Sequence, residues 1–254
     1  MRLTVLGSGT SIPLTYMASP SILLDIDGTV LLLDMGPGTV RQLARTGINN
    51  ASIDHILLSH FHPDHTADLV HFLFVTRNPN IFNKRKQFTI SGSKGLKKLI
   101  NNLQKAYPRW LDMPEEKMTV EELDPVNKKF QHYSKYTVST CRVNHTDSSL
   151  AYRIEDKKGK SIVYTGDTAW CEELITFAGD TELLIMECSL PEESSVENHL
   201  SPAQAGQIAA SAGVKKLLLV HFYPEVLSTD ITGECRKYYK GELILGRDLL
   251  SINI

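Results

Sequence analysis

Three histidines and one aspartate lie within the six residues 60–65, which read His-Phe-His-Pro-Asp-His. Imidazole is a frequent metal ligand in proteins, and a carboxylate adds the negative charge that a divalent cation needs. In an extended segment His60 and His62 point the same way, and Asp64 and His65 can close on the same volume from the turn that follows. The segment therefore predicts a metal site, and a polar loop rich in histidine by chance is the alternative.

Three further residues of ligand type each follow a predicted strand: His145, Asp167 and His221. A lone histidine at a strand end is more often structural, but three such residues beside the dense cluster favour one joint site. The seven residues exceed the roughly four ligands of one tetrahedral zinc and suit two ions that share a carboxylate. We assign the bridge to Asp167, since it stands alone in the sequence, apart from the 60–65 cluster, and its carboxylate has two oxygens.

Two ions roughly 3.5–4 Å apart would activate a water and stabilise the charge that develops in a displacement. The alternative is a structural zinc site, for which cysteine ligands are expected. None of the four cysteines lies in the 60–65 cluster, so the sequence favours a catalytic centre.

Short apolar runs alternate with helical patterns along the chain and must position these residues. Runs bounded by turn residues predict strands at 3–6, 21–26, 30–33, 53–58, 88–90, 136–143, 149–155, 161–164, 183–186, 216–220, 242–245 and 249–252. Helices are expected at 39–46, 66–77, 93–106 and from Pro202, after the N-cap Ser201, to a stop at Gly213. This order predicts an α/β (α+β) protein with two strand-rich layers and helices outside, in one domain spanning residues 1–254.

Two stretches leave alternatives open. Residues 107–135 show no clear pattern and are the expected place for an inserted flap or a partner surface. Lysine and arginine are dense between residues 84 and 109. A solvated helix face is the favoured explanation, and a patch for an anionic substrate or RNA is the alternative.

The bulk composition excludes several classes of protein. A net charge of −2 and a pI of about 6.5 give no general attraction to nucleic acid or to anionic membranes. No apolar run approaches the roughly 18 residues of a membrane span, and the first residues read as a strand rather than as a signal peptide. Four dispersed cysteines without a CxxC pair do not suggest a secreted disulfide framework. We therefore expect a cytoplasmic protein with no membrane partner.

The ligand pattern resembles that of the metallo-β-lactamase fold superfamily. The resemblance implies a four-layer αββα sandwich that binds up to two metals at one edge of its paired sheets. It also implies that His60, His62 and His145 hold one ion, that Asp64, His65 and His221 hold the other, and that Asp167 lies between them. Zinc is the first expectation, with manganese or iron as alternatives, because imidazole and carboxylate ligands suit all three.

Three segments narrow the resemblance to the ribonuclease Z-like and small phosphodiesterase branch: residues 6–13, 33–38 and 199–206. The resemblance implies that His199 contacts the scissile phosphate and handles protons; a surface residue beside a helix N-cap is the alternative. Asp34 either orients a ligand histidine or stabilises a turn.

Ribonuclease Z carries a long arm that grips transfer RNA, placed in its short form between the third histidine ligand and the bridging aspartate. Here residues 146–166 fill this interval and read as one hairpin. No arm for transfer RNA fits there.

The leading hypothesis is a dinuclear metal-dependent phosphodiesterase that acts on small or cyclic phosphodiesters or on RNA ends. Asp64, besides binding metal, accepts or relays a proton in this mechanism. A lactonase or thioesterase of the glyoxalase II type shares the same ligand core and is the alternative. A metal-stabilised binding protein without activity is a third interpretation, against which the seven intact ligands argue. A homodimer through residues 66–135 is also expected.

Overall fold

Two seven-stranded β-sheets dominate the computed structural model, which describes residues 1–125, 131–194 and 198–254. The strands are β1 (Arg2–Gly7), β2 (Ser21–Ile26), β3 (Thr29–Leu33), β4 (Ile53–Leu57), β5 (Phe88–Gly92), β6 (Met118–Glu122), β7 (Gln131–His132), β8 (Tyr136–Arg142), β9 (Leu150–Asp156), β10 (Ser161–Tyr164), β11 (Leu183–Glu187), β12 (Lys216–Val220), β13 (Glu242–Leu245) and β14 (Ser251–Asn253). The helices are α1 (Thr39–Arg45), α2 (Pro63–Thr66), α3 (Asp68–Thr76), α4 (Pro79–Phe82), α5 (Leu96–Ala106), α6 (Glu172–Phe177), α7 (Pro202–Ser211), α8 (Pro224–Leu227) and α9 (Ile231–Arg236). Short 3₁₀ turns lie at Asn50–Ser52 and Glu192–Ser194.

The two sheets follow the same plan. Their strand orders are β14-β1-β2-β3-β4-β5-β6 and β13-β12-β11-β10-β9-β8-β7. In each sheet, one half pairs antiparallel and the other half, β3 to β6 or β10 to β13, pairs parallel. Parallel strands place their carboxyl ends at one edge of a sheet, where side chains from distant parts of the sequence can meet.

Three apolar clusters separate four layers. Between the sheets, side chains such as Leu31 of β3 pack against Tyr152 of β9. The next residue, Leu32, points to the opposite face and packs with helices α1, α3 and α5. Helices α6, α7 and α9 cover the outer face of the second sheet in the same manner. The predicted αββα sandwich is confirmed, and since both halves of the chain share the central cluster, we propose that residues 1–254 form one domain.

Most predicted elements are found, with shifted ends, and the differences have local causes. The helix expected at 66–77 is found as α3, and the short helix α2 precedes it from Pro63, because proline is well suited to a first helical position. Asp64 and His65 therefore lie in the first turn of a helix rather than in a loop. Within the stretch predicted as a flap or partner surface, 118–122 and 131–132 instead form edge strands of the two sheets, and 126–130 lie outside the described residues.

The interval between His145 and Asp167 holds β9 and β10, which pair antiparallel as one hairpin. This confirms the hairpin predicted for residues 146–166. Among the helices of the described ranges, none combines the length and the apolar character needed to cross a lipid bilayer.

Candidate active site

All seven predicted ligands lie at one edge of the sandwich, beyond the ends of the strands. His60 follows β4, and His62 is the N-cap residue of α2. His145 follows β8, Asp167 follows β10 and His221 follows β12. The fold thus brings together residues up to 161 positions apart along the chain (221 − 60).

Asp167 lies at the centre of the cluster, and its two oxygens face different histidines. Asp167 Oδ2 lies 3.8 Å from His60 Nε2 and 3.7 Å from His145 Nε2. Asp167 Oδ1 lies 3.2 Å from His65 Nε2 and 3.3 Å from His221 Nε2. A carboxylate between two sets of imidazoles is in the position that a bridging ligand requires.

The remaining two ligands complete the two sets. His62 Nδ1 lies 3.2 Å from His145 Nε2, on the Oδ2 side of Asp167. Asp64 Oδ2 lies 3.7 Å from His221 Nε2 and 3.8 Å from His65 Nε2, on the other side. Within each set the potential donor atoms lie within 4.8 Å of one another: His60, His62, His145 and Asp167; Asp64, His65 and His221.

A divalent metal ion fits this donor set. Four buried donor atoms have no hydrogen-bond partner among the described residues: His60 Nε2, His65 Nε2, His221 Nε2 and Asp167 Oδ1. Each such atom costs free energy when it is left unsatisfied, and all four converge on one volume. Burial, helped by the neighbouring His65, lowers the pKa of His60 to about 2, so this imidazole is neutral as a metal ligand must be.

The carboxylates are ionised. Burial alone would raise the pKa of Asp167, but the imidazoles of His221 and His65 hold it well below its usual range. Partial burial alone would raise the pKa of Asp64, but the imidazoles of His221 and His65 that face it lower this pKa overall. The site therefore contains two negatively charged carboxylates that can bind cations.

Asp34 fixes the orientation of two ligand histidines. Its Oδ2 accepts hydrogen bonds from His65 Nδ1 at 2.7 Å, from Tyr164 at 2.6 Å and from Ser59 Oγ at 2.7 Å. Since the Ser59 hydroxyl donates to Asp34, it accepts from His60 Nδ1, 3.0 Å away. Both imidazoles thus have Nδ1 as the hydrogen-bonded nitrogen, and with a metal bound each would direct its Nε2 lone pair into the cluster.

Glu187 does the same on the other side of the cluster. This buried carboxylate ends β11 and accepts a hydrogen bond from Ser189 Oγ at 2.5 Å. Ser189 in turn accepts from His221 Nδ1 at 2.8 Å, which leaves His221 Nε2 as a ligand atom. His221 also adopts a left-handed backbone conformation with φ 61°, which costs free energy in a non-glycine residue.

His199 lies at the rim of the cluster and also contacts Glu187. Its Nδ1 lies 3.0 Å from Glu187 Oε1, and its ring stacks on that of His221 at a centroid distance of 5.6 Å. Burial lowers the pKa of His199, but the hydrogen bond and charge of Glu187 raise it overall. A His199 ring nitrogen also lies within 4.8 Å of ligand atoms of Asp167 and His221, so a role as a metal ligand is the geometric alternative to a catalytic one.

Sequence reasoning missed Glu187, Ser59 and Ser189. Glu187 carried a usable signal, because it ends the apolar run 183–186 just as His221 ends its own strand. The two serines carried no such signal, since serine is common in loops. The assignment of the seven ligands and of His199 stays a prediction.

Gly166 permits the close approach of Asp167 to the cluster, and its replacement gives a testable effect on stability. A Cβ at this position would lie 2.4 Å from Ser59 Cβ, on a residue with φ 57°. We expect Gly166→Ala to lower the free energy of unfolding by about 1–3 kcal/mol more than Gly159→Ala. Gly159 is the matched control, because its φ is also positive, at 80°, and a Cβ there would have no atom within 4 Å. Equal losses in urea denaturation of the metal-free proteins would contradict this packing.

Comparison with known proteins identifies the family. The family model described as the beta-lactamase superfamily domain matches residues 29–222, which include the whole cluster. The chain belongs to the beta-lactamase superfamily. A ribonuclease Z of Thermoplasma acidophilum is 26% identical and is matched over 100% of this chain and 96% of its own length. The resemblance to the ribonuclease Z-like branch is thereby confirmed.

Solved structures of this superfamily have the same fold. The metallo-β-lactamase fold protein YhfI of Bacillus subtilis has a TM-score of 0.85 at 22% identity, with 99% of each chain covered. The short form of human tRNase Z has a TM-score of 0.78 at 22% identity, over 100% of this chain and 99% of its own. The match to the Thermoplasma enzyme spans 306 positions, whereas this chain has 254 residues, so that relative has segments without a counterpart here.

Proposed function

We propose that this protein is a metal-dependent phosphodiesterase with two divalent cations, zinc being the first choice and manganese or iron the alternatives. The observation that carries the proposal is the division of Asp167 between two sets of histidines, with Oδ2 facing one and Oδ1 the other. The ribonuclease Z relative supports hydrolysis of a phosphodiester. The 60–65 segment then contributes to both sets: His60 and His62 belong to one, and Asp64 and His65 belong to the other.

The residues that would hold the cations follow from the two sets. His60, His62 and His145 would hold one, Asp64, His65 and His221 the other, and Asp167 both. Bound there, the cations would supply Lewis acidity towards the phosphoryl group and an acidified water. Asp34 and Glu187 support this by holding ligand imidazoles in the tautomer that exposes Nε2.

Proton handling falls to His199 and Asp64. His199 Nδ1 is tied to Glu187, so its Nε2 is free to hold a proton and to pass it to a leaving oxygen. The buried Glu187 carboxylate stabilises the protonated imidazole and keeps the ring turned toward the cluster. Asp64 is partly exposed at the rim, where its carboxylate can accept a proton from a water.

The ribonuclease Z relative favours phosphorus over carbon. An alkoxide leaves from a phosphodiester and from a lactone alike, so the proton that His199 and Glu187 provide would serve either reaction. The choice therefore rests on the relative, and we do not favour the lactonase or thioesterase alternative.

The missing arm favours small or cyclic phosphodiesters or RNA ends over folded transfer RNA. A reducing compartment such as the cytoplasm suits the thiols of Cys171, Cys188 and Cys235, which are buried and form no disulfide. A homodimer through residues 66–135 stays a prediction that sedimentation analysis would test.

Hydrolysis of bis(p-nitrophenyl) phosphate by the zinc- or manganese-loaded protein tests the proposed function. We expect cleavage that depends on the metal and is lost on chelation and regained on reloading. A panel of lactones and thioesters is measured in parallel. Turnover of a lactone or thioester without any phosphodiester cleavage, in protein with two bound metals, would replace the proposal by the carbon-ester alternative.

A further inference from the structure

Asp248 lies in the turn between β13 and β14 and accepts four hydrogen bonds from the described part of the chain. Its Oδ1 accepts from the Ser8 amide at 3.0 Å and from Ser8 Oγ at 2.9 Å. Its Oδ2 accepts from the Ala18 amide at 2.8 Å and from Gln42 Nε2 at 2.5 Å. A carboxylate near the end of the sequence therefore holds the loop between β1 and β2, residues 8–20, at two points.

The Oδ1 side of Asp248 supports the backbone next to His221. The carbonyl oxygen of the buried Ser8 accepts a hydrogen bond from the Phe222 amide at 3.1 Å. Phe222 directly follows His221, whose left-handed φ of 61° costs free energy. Such a conformation persists only where the surrounding structure holds it, so the bond from Phe222 to Ser8 helps to fix how His221 presents its imidazole.

The Oδ2 side of Asp248 supports the backbone of Asp64. Ser19 directly follows Ala18, whose amide is bound to Oδ2, and it packs against Gly36. A Cβ on Gly36 would lie 2.8 Å from Ser19 Cβ and 2.1 Å from the carbonyl oxygen of Asp64. The chain at Gly36 is thus packed tightly between the 8–20 loop and α2, so a shift of the loop would be passed on to Asp64.

Both sides of Asp248 therefore lead to the same set of predicted ligands, which consists of Asp64, His65 and His221. The other set has different supports. His60 is oriented through Ser59, and His145 Nδ1 lies 3.0 Å from the carbonyl oxygen of Asn198. A change at Asp248 should consequently affect the two sets unequally.

We propose that Asp248 is a positioning residue for the cation of the set Asp64, His65 and His221, and that it raises the affinity of this set although it belongs to neither set. The proposal rests on the two cations of the proposed function and assigns a role in metal binding to the last turn of the chain. Partners that orient metal ligands typically change the metal affinity by about 10- to 100-fold.

Asp248→Asn is the variant that isolates this role, because it keeps the shape of the side chain. Asparagine has a single acceptor oxygen, so its NH₂ group would face the donors of either Ser8 or Ala18. One of the two supports is therefore lost whichever way the amide is turned.

Zinc titration of the metal-free protein, in competition with a chromogenic chelator, measures the effect. We expect Asp248→Asn to raise the Kd of one ion about 10- to 100-fold and the Kd of the other about threefold at most. Ser8→Ala removes one of the four hydrogen bonds and should raise the same Kd by a smaller factor, also if Asp248→Asn does not fold.

Asp156→Asn is the matched control. Asp156 Oδ1 likewise accepts two backbone amides, from Lys158 at 2.8 Å and from Lys160 at 3.0 Å. These residues lie in the turn that precedes β10, whereas Asp167 follows the other end of this strand. We expect both Kd values of Asp156→Asn to stay within about twofold of the wild type, since the change removes hydrogen bonds of the same kind far from the cluster.

The Asp64→Ala background shows which set responds. It already lacks a ligand of the supported set, so the further change Asp248→Asn should alter the Kd of the remaining ion by about twofold at most. Hydrogen–deuterium exchange of the metal-free protein gives a readout without any cation, and the Phe222 amide should exchange faster in Asp248→Asn than in Asp156→Asn. An equal rise of both Kd values in Asp248→Asn, or the same rise in Asp156→Asn, would overturn the proposal in favour of a general loss of stability.

Failure of this proposal and failure of the proposed function give different results. A wild-type protein that binds two zinc ions but does not cleave bis(p-nitrophenyl) phosphate would overturn the phosphodiesterase, while the two Kd values would still decide the role of Asp248. Unchanged Kd values in Asp248→Asn and Ser8→Ala, or a wild type that binds fewer than two zinc ions, would overturn the assignment of Asp248.

Discussion

Replacement of Asp167 by asparagine is expected to reduce hydrolysis of bis(p-nitrophenyl) phosphate by on the order of a thousandfold or more. The amide keeps the shape of the side chain but removes the charge on which both sets of imidazoles converge. With only one oxygen left as a ligand atom, it cannot face both sets. We therefore expect weaker binding of both cations, measured as bound zinc per chain after gel filtration.

Asp64→Ala provides the complementary measurement. It removes a ligand from one set and leaves His60, His62, His145 and Asp167 in place. We expect a folded protein that retains one ion and has lost turnover. Asp180→Asn, at an exposed turn after α6, is the matched control and should behave as the wild type. Wild-type turnover in either Asp167→Asn or Asp64→Ala would sink the assignment of these carboxylates.

His199→Ala is expected to slow cleavage of an RNA dinucleotide by about 10²- to 10⁴-fold, the usual contribution of a general acid or base. The dinucleotide loses an alkoxide, which needs a proton when it leaves. p-Nitrophenolate is a stable anion and needs little protonation, so the loss with bis(p-nitrophenyl) phosphate should be smaller. The ratio of the two losses measures how much of the effect of His199 is proton transfer.

Glu187→Gln should reproduce part of this loss, about 10- to 100-fold in kcat, because it releases the Nδ1 side of His199. Glu182→Gln, just before the same strand and in a surface pair with Lys215, is the matched control. The metal content of His199→Ala decides between the two geometric roles of this residue. Two ions per chain are expected; loss of one ion together with equal rate losses on both substrates would make His199 a ligand instead.

The ligands could be predicted from the sequence because histidine is a rare residue type and because the ligands lie either in one dense cluster or directly after predicted strands. His60, His62, Asp64 and His65 lie within six residues, and His145, Asp167 and His221 each follow a strand. An apolar run that stops at a lone ligand-type residue is visible without coordinates. The layers were predictable for the same reason, since strands buried on both faces read as continuous apolar runs.

The parts that could not be predicted depend on contacts between distant segments. The six-residue helices α6 and α9 are too short to be stable alone and form because they pack on the second sheet. Strand β6 is a partly exposed edge strand without a clear alternation, so its residues alone do not distinguish it from a flap. Ser59 and Ser189 matter only through the carboxylates to which they donate, which no local pattern shows.

The apolar groove between α3 and residues 107–111 shows the same limit. Val70 and Phe74 belong to a helix whose other face is buried, and periodicity does not tell which apolar residues remain open. Trp110 lies in a stretch without a regular pattern, so its place beside Phe74 follows only from the fold.

The metal content of the purified protein, loaded with zinc and passed through a desalting column, tests the central claim most directly. Inductively coupled plasma mass spectrometry should give two zinc ions per chain in the wild type and fewer in Asp167→Asn. One ion per chain, or none, in protein that cleaves bis(p-nitrophenyl) phosphate at its full rate would contradict a dinuclear centre bridged by Asp167.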